Sequence, residues 1–313
     1  MGNLIKVCPL CKKESEFQEV LLLENVFASG DIFEFNPTSQ IGAEDYAKGD
    51  CTMDMRQCLE CGFIYNFTFD MSKMLQVYTS NAYYQQKYFT QRLSKTLTQT
   101  KDKIMQYASK DSVFLEIAPG LCDLLCALAS EAKFVYSIDP SPTTMEKMPK
   151  NVSHIQGFFD AKLLRDSLKH KVDFIVFRHL LEHIEKPREF LEEVVDFLDI
   201  GGKIYVEVPN ALTIFKDQTF YDFYHDHVSY FTQNTLVNIF AALGCECVDS
   251  IFPYDGQWMG FVFQKVQNPI QTKLEPIIFA NVDFTKKIQE FNSYLKDYQS
   301  ISLWGGGYIL THY

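Results

Sequence analysis

A short segment in the second half of the chain carries residue types that could move a proton. Residues 224–227 read Tyr-His-Asp-His. A histidine has a pKa suited to accepting a proton near neutral pH, and a neighbouring carboxylate can orient its ring. The segment therefore supplies a candidate general base, with a packed polar cluster as the structural alternative. A metal site made of His225, Asp226 and His227 would lack ligands from a second segment, so the sequence does not favour it.

Two pairs of cysteines with the same spacing could hold a metal ion. Cys8 with Cys11, and Cys58 with Cys61, form two Cys-x-x-Cys motifs flanked by turn residues. Four thiolates make a closed tetrahedral site, which is typical of structural zinc. The alternatives are four buried free cysteines or a redox pair. The long gap between the motifs must be a loop or a small hairpin.

A strand, a tight turn and a helix could hold a nucleotide. Residues 113–117 are apolar except for Glu116, and a turn and an apolar helical pattern follow. The next predicted strand ends at Asp139, whose carboxylate could accept hydrogen bonds from ribose hydroxyls. Ala118 and Cys122 stand where glycines are usual, so an ordinary strand-to-helix connection explains the turn about as well.

These residues need a sheet to position them, and residues 173–210 indicate which kind. An apolar strand, a helix that begins at Pro187, a pair of glycines and a second strand form one βαβ unit. Ligands of such parallel sheets bind at the carboxyl ends of the strands, where residues 178–183 and 207–210 lie. His179 and His183 could bind zinc, but their place favours contact with a substrate or cofactor.

Composition excludes several classes of protein. The chain has 313 residues and a formal net charge of −11, which argues against a nucleic acid or an anionic membrane as partner. No apolar run approaches the roughly 20 residues of a membrane span. The N-terminus lacks the apolar core of a signal peptide, so we expect a cytoplasmic protein whose nine cysteines are metal ligands or buried thiols.

The motifs resemble the class I methyltransferases that use S-adenosylmethionine. More narrowly, they are similar to the sugar C-methyltransferase family, whose members carry an N-terminal zinc module with four cysteine ligands. The resemblance runs from Cys8 to about Trp304, and its most specific parts are the paired cysteine motifs, FLEIAPG, HLLEHIEKP, IYVEVPN and YHDHVSYFT. It implies that S-adenosylmethionine contacts the following residues: Glu116, Ala118, Gly120, Asp139, Phe159, Asp160 and His179.

The same resemblance implies the acceptor side of the site. His227 would be the base, supported by Tyr224 and Asp226, and His183 would be the matching histidine of the other loop. Substrate contacts would come from Tyr78, Asn210 and His225. For Asp226 to support His227 the backbone must turn here, because an extended segment would send the two side chains to opposite faces.

We therefore predict an α/β protein: a Rossmann-like, doubly wound methyltransferase sheet with a small N-terminal zinc-binding module. The zinc-binding and substrate-contacting module would span residues 1–90, a linker helix 91–110 and the cofactor-binding domain 111–266. Residues 267–313 would form a helix and the truncated start of a C-terminal domain.

The predicted activity is methyl transfer from S-adenosylmethionine to a small polar acceptor. By resemblance, the acceptor is a nucleotide- or phosphate-activated precursor of a capsule-type surface glycan or a deoxysugar. Asp226 replaces the glutamate of the family, and removal of a hydroxyl proton tolerates a shifted base better than removal of a proton from carbon. This favours an oxygen acceptor. The alternatives are a C-methyltransferase of a ketosugar and a catalytically idle ligand-binding protein.

Overall fold

The N-terminal part of the chain forms a small antiparallel sheet. The computed structural model describes residues 4–26, 51–72, 74, 90–141, 148–219, 222–270, 273–279, 284–296 and 298. The first strands are β1 (Leu4–Val7), β2 (Glu14–Val26), β3 (Cys51–Cys58) and β4 (Ile64–Asn66). Strand β2 pairs with β3, so the described part of the gap between the two cysteine motifs is a pair of antiparallel strands, as in the predicted hairpin.

Alternating helices and strands follow. The first are α1 (Gln91–Met105), β5 (Val113–Ile117), α2 (Asp123–Ala129), β6 (Phe134–Asp139), β7 (Val152–Gln156) and α3 (Ala161–Ser167). The rest are β8 (Phe174–Arg178), α4 (Pro187–Phe197), β9 (Lys203–Pro209), α5 (Ala211–Asp217), β10 (Ser229–Tyr230), α6 (Gln233–Ala242), β11 (Cys245–Ile251), β12 (Trp258–Lys265) and α7 (Thr285–Lys296). None of the helices in these described ranges is both long and apolar enough to cross a membrane.

Seven of these strands make one mixed sheet. Their order is β11-β12-β9-β8-β5-β6-β7. The five strands from β9 to β7 run parallel to their neighbours, whereas β12 and β11 are antiparallel. The strand order reverses between β5 and β8, and such a reversal opens a crevice at the carboxyl ends of the strands. The predicted α/β, Rossmann-like methyltransferase fold is therefore confirmed.

The sheet is covered on both faces, because successive residues of a strand point to opposite sides. On β5, Phe114 packs with Ile104 of α1 and Leu124 of α2, whereas Leu115 packs in the layer that contains Leu191 of α4. All five of these apolar side chains are fully buried. Such continuous apolar strands are typical of parallel sheets that are buried on both faces.

Two features tie the parts of the chain together more closely than the sequence indicates. The helix predicted as a linker over 91–110 ends at Met105, and its Thr100 hydroxyl donates a 3.0 Å hydrogen bond to buried Glu207. Strand β10, which lies between elements of the large sheet in the sequence, belongs to the small sheet. It pairs with β4, so Tyr230 lies opposite Ile64. The segment that carries the candidate base is therefore held by the N-terminal module.

Candidate functional site

The two cysteine motifs meet at one point. In each motif the carbonyl of the first cysteine accepts a hydrogen bond from the amide four residues later, Lys12 to Cys8 at 3.0 Å and Gly62 to Cys58 at 2.8 Å. Lys12 and Gly62 both have a positive φ, 59° and 76°. The matching turns bring the four thiol sulfurs within 4.8 Å of one another.

The spacing of these sulfurs suits a tetrahedral ion. Zinc–sulfur bonds of about 2.3 Å separate tetrahedral sulfurs by about 3.8 Å. The Sγ atoms of Cys8 and Cys61 are 3.8 Å apart. Cys8 and Cys58 are fully buried, whereas Cys11 and Cys61 are partly exposed. The donor set and its geometry therefore fit a structural zinc held by all four predicted ligands.

The turn after β5 has a left-handed backbone at three positions, only one of which is a glycine. Ala118, Gly120 and Cys122 all have left-handed backbones, with φ of 53°, 53° and 62°. A left-handed L-residue costs roughly 1–2 kcal/mol, so the two non-glycine residues store strain. The Ala118 amide donates to the carbonyl of Ile138 at 2.8 Å, which fixes the turn against β6.

A cavity of about 390 Å³ lies at the carboxyl ends of β5, β6 and β8. Pockets of this volume hold small-molecule ligands and cofactors. Six of the seven residues predicted to contact the cofactor border the cavity, together with His183 on the acceptor side. The six are Glu116, Ala118, Gly120, Asp139, Phe159 and His179. The sequence therefore predicted the location of this crevice well.

Two buried carboxyl groups face the cavity. Burial raises the pKa of Glu116 to about 8, although the positive charge of Arg178 opposes the rise. Its Oε2 has no hydrogen-bond partner among the described residues. Burial also raises the pKa of Asp139, while backbone amides of Ser141 and Gly120 counter part of that rise. The Ser141 amide donates to Oδ1 of Asp139 at 2.7 Å. Because the pKa of Glu116 is about 8, its carboxyl group is mostly protonated at neutral pH.

Asp160 does not border the cavity. Its Oδ1 accepts a 2.9 Å hydrogen bond from the Leu163 amide and caps the N-terminus of α3. A side-chain oxygen at this position satisfies an amide that has no partner inside the helix. Asp160 therefore caps a helix, whereas its neighbour Phe159 lies at the cavity; the adenine contact of Asp160 stays a prediction.

A chain of charged groups, two buried carboxylates with a partly exposed arginine and histidine, forms the wall beside β8 and β9. Nε2 of His179 lies 3.3 Å from Oε1 of Glu207, and its Nδ1 lies 3.6 Å from Oε1 of Glu182. Arg178 pairs with Glu207 at 3.3 Å, and the Tyr205 hydroxyl donates to Glu207 at 2.6 Å. The sequence marked these strand ends as polar but did not assign Glu182 or Glu207. The signal for Glu182 was its place beside His183, and the signal for Glu207 was a carboxylate within an otherwise apolar strand.

These contacts set the charges of the wall. Burial opposes the positive charge of His179, but its contacts with Glu182 and Glu207 outweigh burial and raise the pKa of His179 to about 9. In the same way, the contact with His179 and the charge of Arg178 overcome burial and lower the pKa of Glu207 to about 2. At neutral pH the cavity therefore has a positive imidazolium in its wall, held by two carboxylates.

The candidate base lies on the other side of His183. The backbone turns at residues 225–226, and the His227 amide donates to the Tyr224 carbonyl at 3.1 Å. The rings of His227 and His183 are 4.8 Å apart, and Tyr224 packs edge-on against His227 at 5.3 Å. Burial and the charge of His183 lower the pKa of His227 to about 4. His227 is therefore neutral at pH 7.

Asp226 contacts His183, a histidine on the other loop of the site. Nδ1 of His183 lies 3.0 Å from the Asp226 carbonyl oxygen and 3.8 Å from its carboxylate. Nδ1 of His227, in contrast, has no hydrogen-bond partner among the described residues. The turn that the prediction required is present, and it brings the carbonyl oxygen and one carboxylate oxygen of Asp226 near His183. The charge of Asp226 also acts on His227, where it opposes the lowering of the pKa, so the support of His227 by Asp226 stays a prediction.

Two of the residues predicted to contact the substrate make buried contacts within the fold, and their substrate contacts stay predictions. His225 stacks on Phe69, and its Nδ1 lies 3.2 Å from the Thr52 carbonyl, on the side of the small sheet. The Asn210 amide caps α5 through the Leu212 amide at 3.2 Å and donates to the Gly256 carbonyl at 3.0 Å. Both side chains are more than nine-tenths buried. The third predicted contact, Tyr78, lies outside the described residues.

Comparison with known proteins gives a consistent result. A family model described as a methyltransferase domain matches residues 84–250. The C-methyltransferase NovU of Streptomyces niveus is 29% identical over 102 residues, which cover 32% of this chain and 24% of that protein. The match therefore spans about a quarter of the length of that relative.

Solved structures of other methyltransferases are also similar. The N-methyltransferase NodS of Bradyrhizobium japonicum WM9, in complex with S-adenosyl-L-homocysteine, is 17% identical to this chain. The aligned part covers 62% of this chain and 97% of the NodS chain, with a TM-score of 0.47. Magnesium protoporphyrin IX methyltransferase of Synechocystis PCC 6803 is 12% identical, with coverage of 63% and 100% and a TM-score of 0.47. Because the family model matches more than half of the 313 residues, this chain belongs to the methyltransferase domain family.

Proposed function

We propose that this methyltransferase uses S-adenosylmethionine to methylate a small polar acceptor, a nucleotide- or phosphate-activated sugar. The observation that carries the proposal is the cavity, whose lining includes the carboxyl groups of Glu116 and Asp139 and the rings of His179 and His183. When bound, the cofactor supplies an activated methyl group. Asp139 would accept hydrogen bonds from its ribose hydroxyls, and the positive ring of His179 would attract its methionine carboxylate.

The chain's own residues would supply positioning and proton transfer. Methyl transfer needs the acceptor atom held about 3 Å from the methyl carbon, and a group that takes the proton. His227 is neutral and lies beside His183, which borders the cavity. Because Nδ1 of His183 contacts the backbone of the His227 segment, a change at either histidine would alter the acceptor side. We assign His227 as the base and His183 as its neighbour at the acceptor.

An oxygen acceptor fits this base best. A hydroxyl proton can leave as the carbon–oxygen bond forms, so a weak base is sufficient. Removal of a proton from carbon beside a ketone requires stabilisation of the carbanion before transfer. The second candidate is C-methylation of a ketosugar, which the partial match to the C-methyltransferase NovU favours. The proposed zinc at the four cysteines holds the N-terminal module in place and takes no part in either reaction.

The first test is cofactor binding. Calorimetry of the zinc-loaded full chain should show binding of S-adenosylmethionine. Asp139→Ala should weaken it by roughly 1.5–3 kcal/mol, the scale of a hydrogen bond to a charged group. The control Asp166→Ala removes an exposed carboxylate away from the cavity and should leave affinity unchanged. Absence of binding by the wild type would refute the proposal, and unchanged affinity of Asp139→Ala would refute the ribose contact.

The second test is turnover. His227→Gln should lower the rate of S-adenosylhomocysteine release by about 10²–10⁴, the usual share of general-base catalysis, with cofactor affinity near that of the wild type. His225→Ala, on the same segment but directed to the small sheet, should lower it less. Substrates should include activated sugars with free hydroxyls and matched ketosugars. NMR of the product separates the acceptors, since a methyl group on oxygen and one on carbon differ in chemical shift.

A further inference from the structure

Three side chains from two segments converge beside the cavity without being joined in the sequence. Glu182 and His183 lie on the short 3₁₀ turn after β8, and His227 lies on the segment before β10. One possible ligand atom from each residue lies within 4.8 Å of the other two. The second contributing segment that a metal site would need is therefore present, with Glu182 and His183 as its members.

Two atoms of this cluster are buried and lack partners. Oε2 of Glu182 has no hydrogen-bond partner among the described residues, and Glu182 is only 2% exposed. Nδ1 of His227 is also buried and has no hydrogen-bond partner among the described residues. A buried charged or polar atom without a partner costs free energy, so such atoms require an explanation. A cation that both atoms coordinate would satisfy them.

The orientation of His183 also fits a metal ligand. Its Nδ1 lies 3.0 Å from the Asp226 carbonyl oxygen. Histidines that bind metals usually donate one ring N–H to a carbonyl or carboxylate, which fixes the tautomer with its lone pair on the other nitrogen. Here the contact with Asp226 places the N–H on Nδ1, so Nε2 carries the lone pair. Asp226 would therefore act as the outer partner of a metal ligand.

We propose that Glu182, His183 and His227 form a binding site for one divalent transition-metal ion. Two imidazoles and one carboxylate form a set that suits zinc, iron(II), cobalt(II) or nickel, and differs from the four thiolates of the cysteine site. Bonds of about 2.0–2.1 Å to such an ion require ligand atoms roughly 3.3 Å apart. Small side-chain rotations close the remaining distance.

This site goes beyond the proposed function and constrains it. A neutral imidazole has one lone pair, so His227 cannot bind an ion through it and accept a proton with it at the same time. The ion and the base therefore exclude each other at His227. Binding of the ion is measured without turnover, so failure of the metal site and failure of the proposed methyl transfer are distinguishable.

Calorimetric titration tests the site directly. The full chain, with one equivalent of zinc at the cysteines, is titrated with Zn²⁺ and with Co²⁺. We expect one further equivalent to bind, and the added Co²⁺ to show the absorption of nitrogen and oxygen ligands without new thiolate charge-transfer bands. Glu182→Gln and His183→Asn should each weaken this step at least tenfold. The control His170→Asn removes a histidine outside the cluster and should leave it unchanged.

Two results would overturn the proposal. One is the absence of a second equivalent in the wild type. The other is binding of equal strength in Glu182→Gln, His183→Asn and the control, which would indicate adventitious surface ligands. Circular dichroism and zinc content establish that each variant is folded before titration. If Glu182→Gln fails to fold, His183→Asn and His227→Gln answer the same question, since each removes a single proposed ligand.

Discussion

Replacement of Glu116 by glutamine should remove a pH dependence from the stability of the protein. Glu116 is 2% exposed, and burial raises the pKa of its carboxyl group from 4.5 to about 8. The pKa of Glu116 is higher in the folded chain than in the unfolded chain. Its contribution to the free energy of unfolding is therefore fully present below about pH 4.5 and is lost as the pH rises through about 8. Glutamine keeps a similar shape and does not titrate.

The size of the effect follows from proton linkage. Between the two pKa values the folded chain binds one more proton at this site than the unfolded chain, so stability falls by about 1.4 kcal/mol per pH unit. From pH 6 to pH 7.5 the free energy of unfolding of the wild type should therefore fall by about 2 kcal/mol relative to Glu116→Gln. Asp123 and Arg178, whose charges act on Glu116, are present in both proteins.

Urea denaturation of both proteins at pH 6.0, 6.75 and 7.5 measures this difference, with zinc present throughout. The control Glu290→Gln removes a half-exposed carboxylate on α7 and should leave the pH profile of the wild type unchanged. If the profiles of the wild type and Glu116→Gln are parallel, Glu116 is already ionised at pH 6 in the folded protein. The account of the cavity as a site that keeps this carboxyl group neutral would then be wrong.

Two further substitutions test the turn and the cysteine site. Ala118→Gly should raise the free energy of unfolding by about 0.5–1 kcal/mol, because relief of left-handed strain exceeds the entropy cost of glycine; a loss of stability in urea denaturation would contradict the strain. Cys58→Ser should abolish stoichiometric zinc, as measured by mass spectrometry of the metal, and lower the melting temperature. Cys247→Ser, an exposed cysteine outside the cluster, is its control, and full zinc content in Cys58→Ser would refute the ligand assignment.

The sequence predicted those features that depend on local patterns. Local residue types were enough to place several elements to within a few residues. Examples are the apolar run before Arg178, the proline at the start of α4 and the acidic end of β6. The spacing of the cysteines likewise predicted that the two motifs meet. They do so although Cys8 and Cys61 are 53 residues apart in the sequence. Since cavities in parallel sheets lie at the carboxyl ends of strands, the location of the crevice followed from the order of the elements.

Details that depend on long-range packing could not be predicted in the same way. Nothing in residues 224–227 indicates that Asp226 contacts His183, because that contact depends on where the turn places each group. Asn210 and Asp160 have residue types that serve equally well as ligands or as helix caps. The left-handed backbones of Ala118 and Cys122 oppose local preference, so tertiary contacts determine them.

The pairing of β10 with β4 has a consequence for inheritance. The small sheet is completed by Ser229 and Tyr230, which lie more than 160 positions beyond their partners Tyr65 and Ile64. A recombination event that exchanged the N-terminal module at residue 90 would separate the two halves of this ladder. The hybrid would keep both the cysteine site and the cofactor crevice, yet it would join strands that had not been selected together. Substitutions in β4 and β10 should therefore change together across lineages, and chimaeras should exchange both strands as a pair.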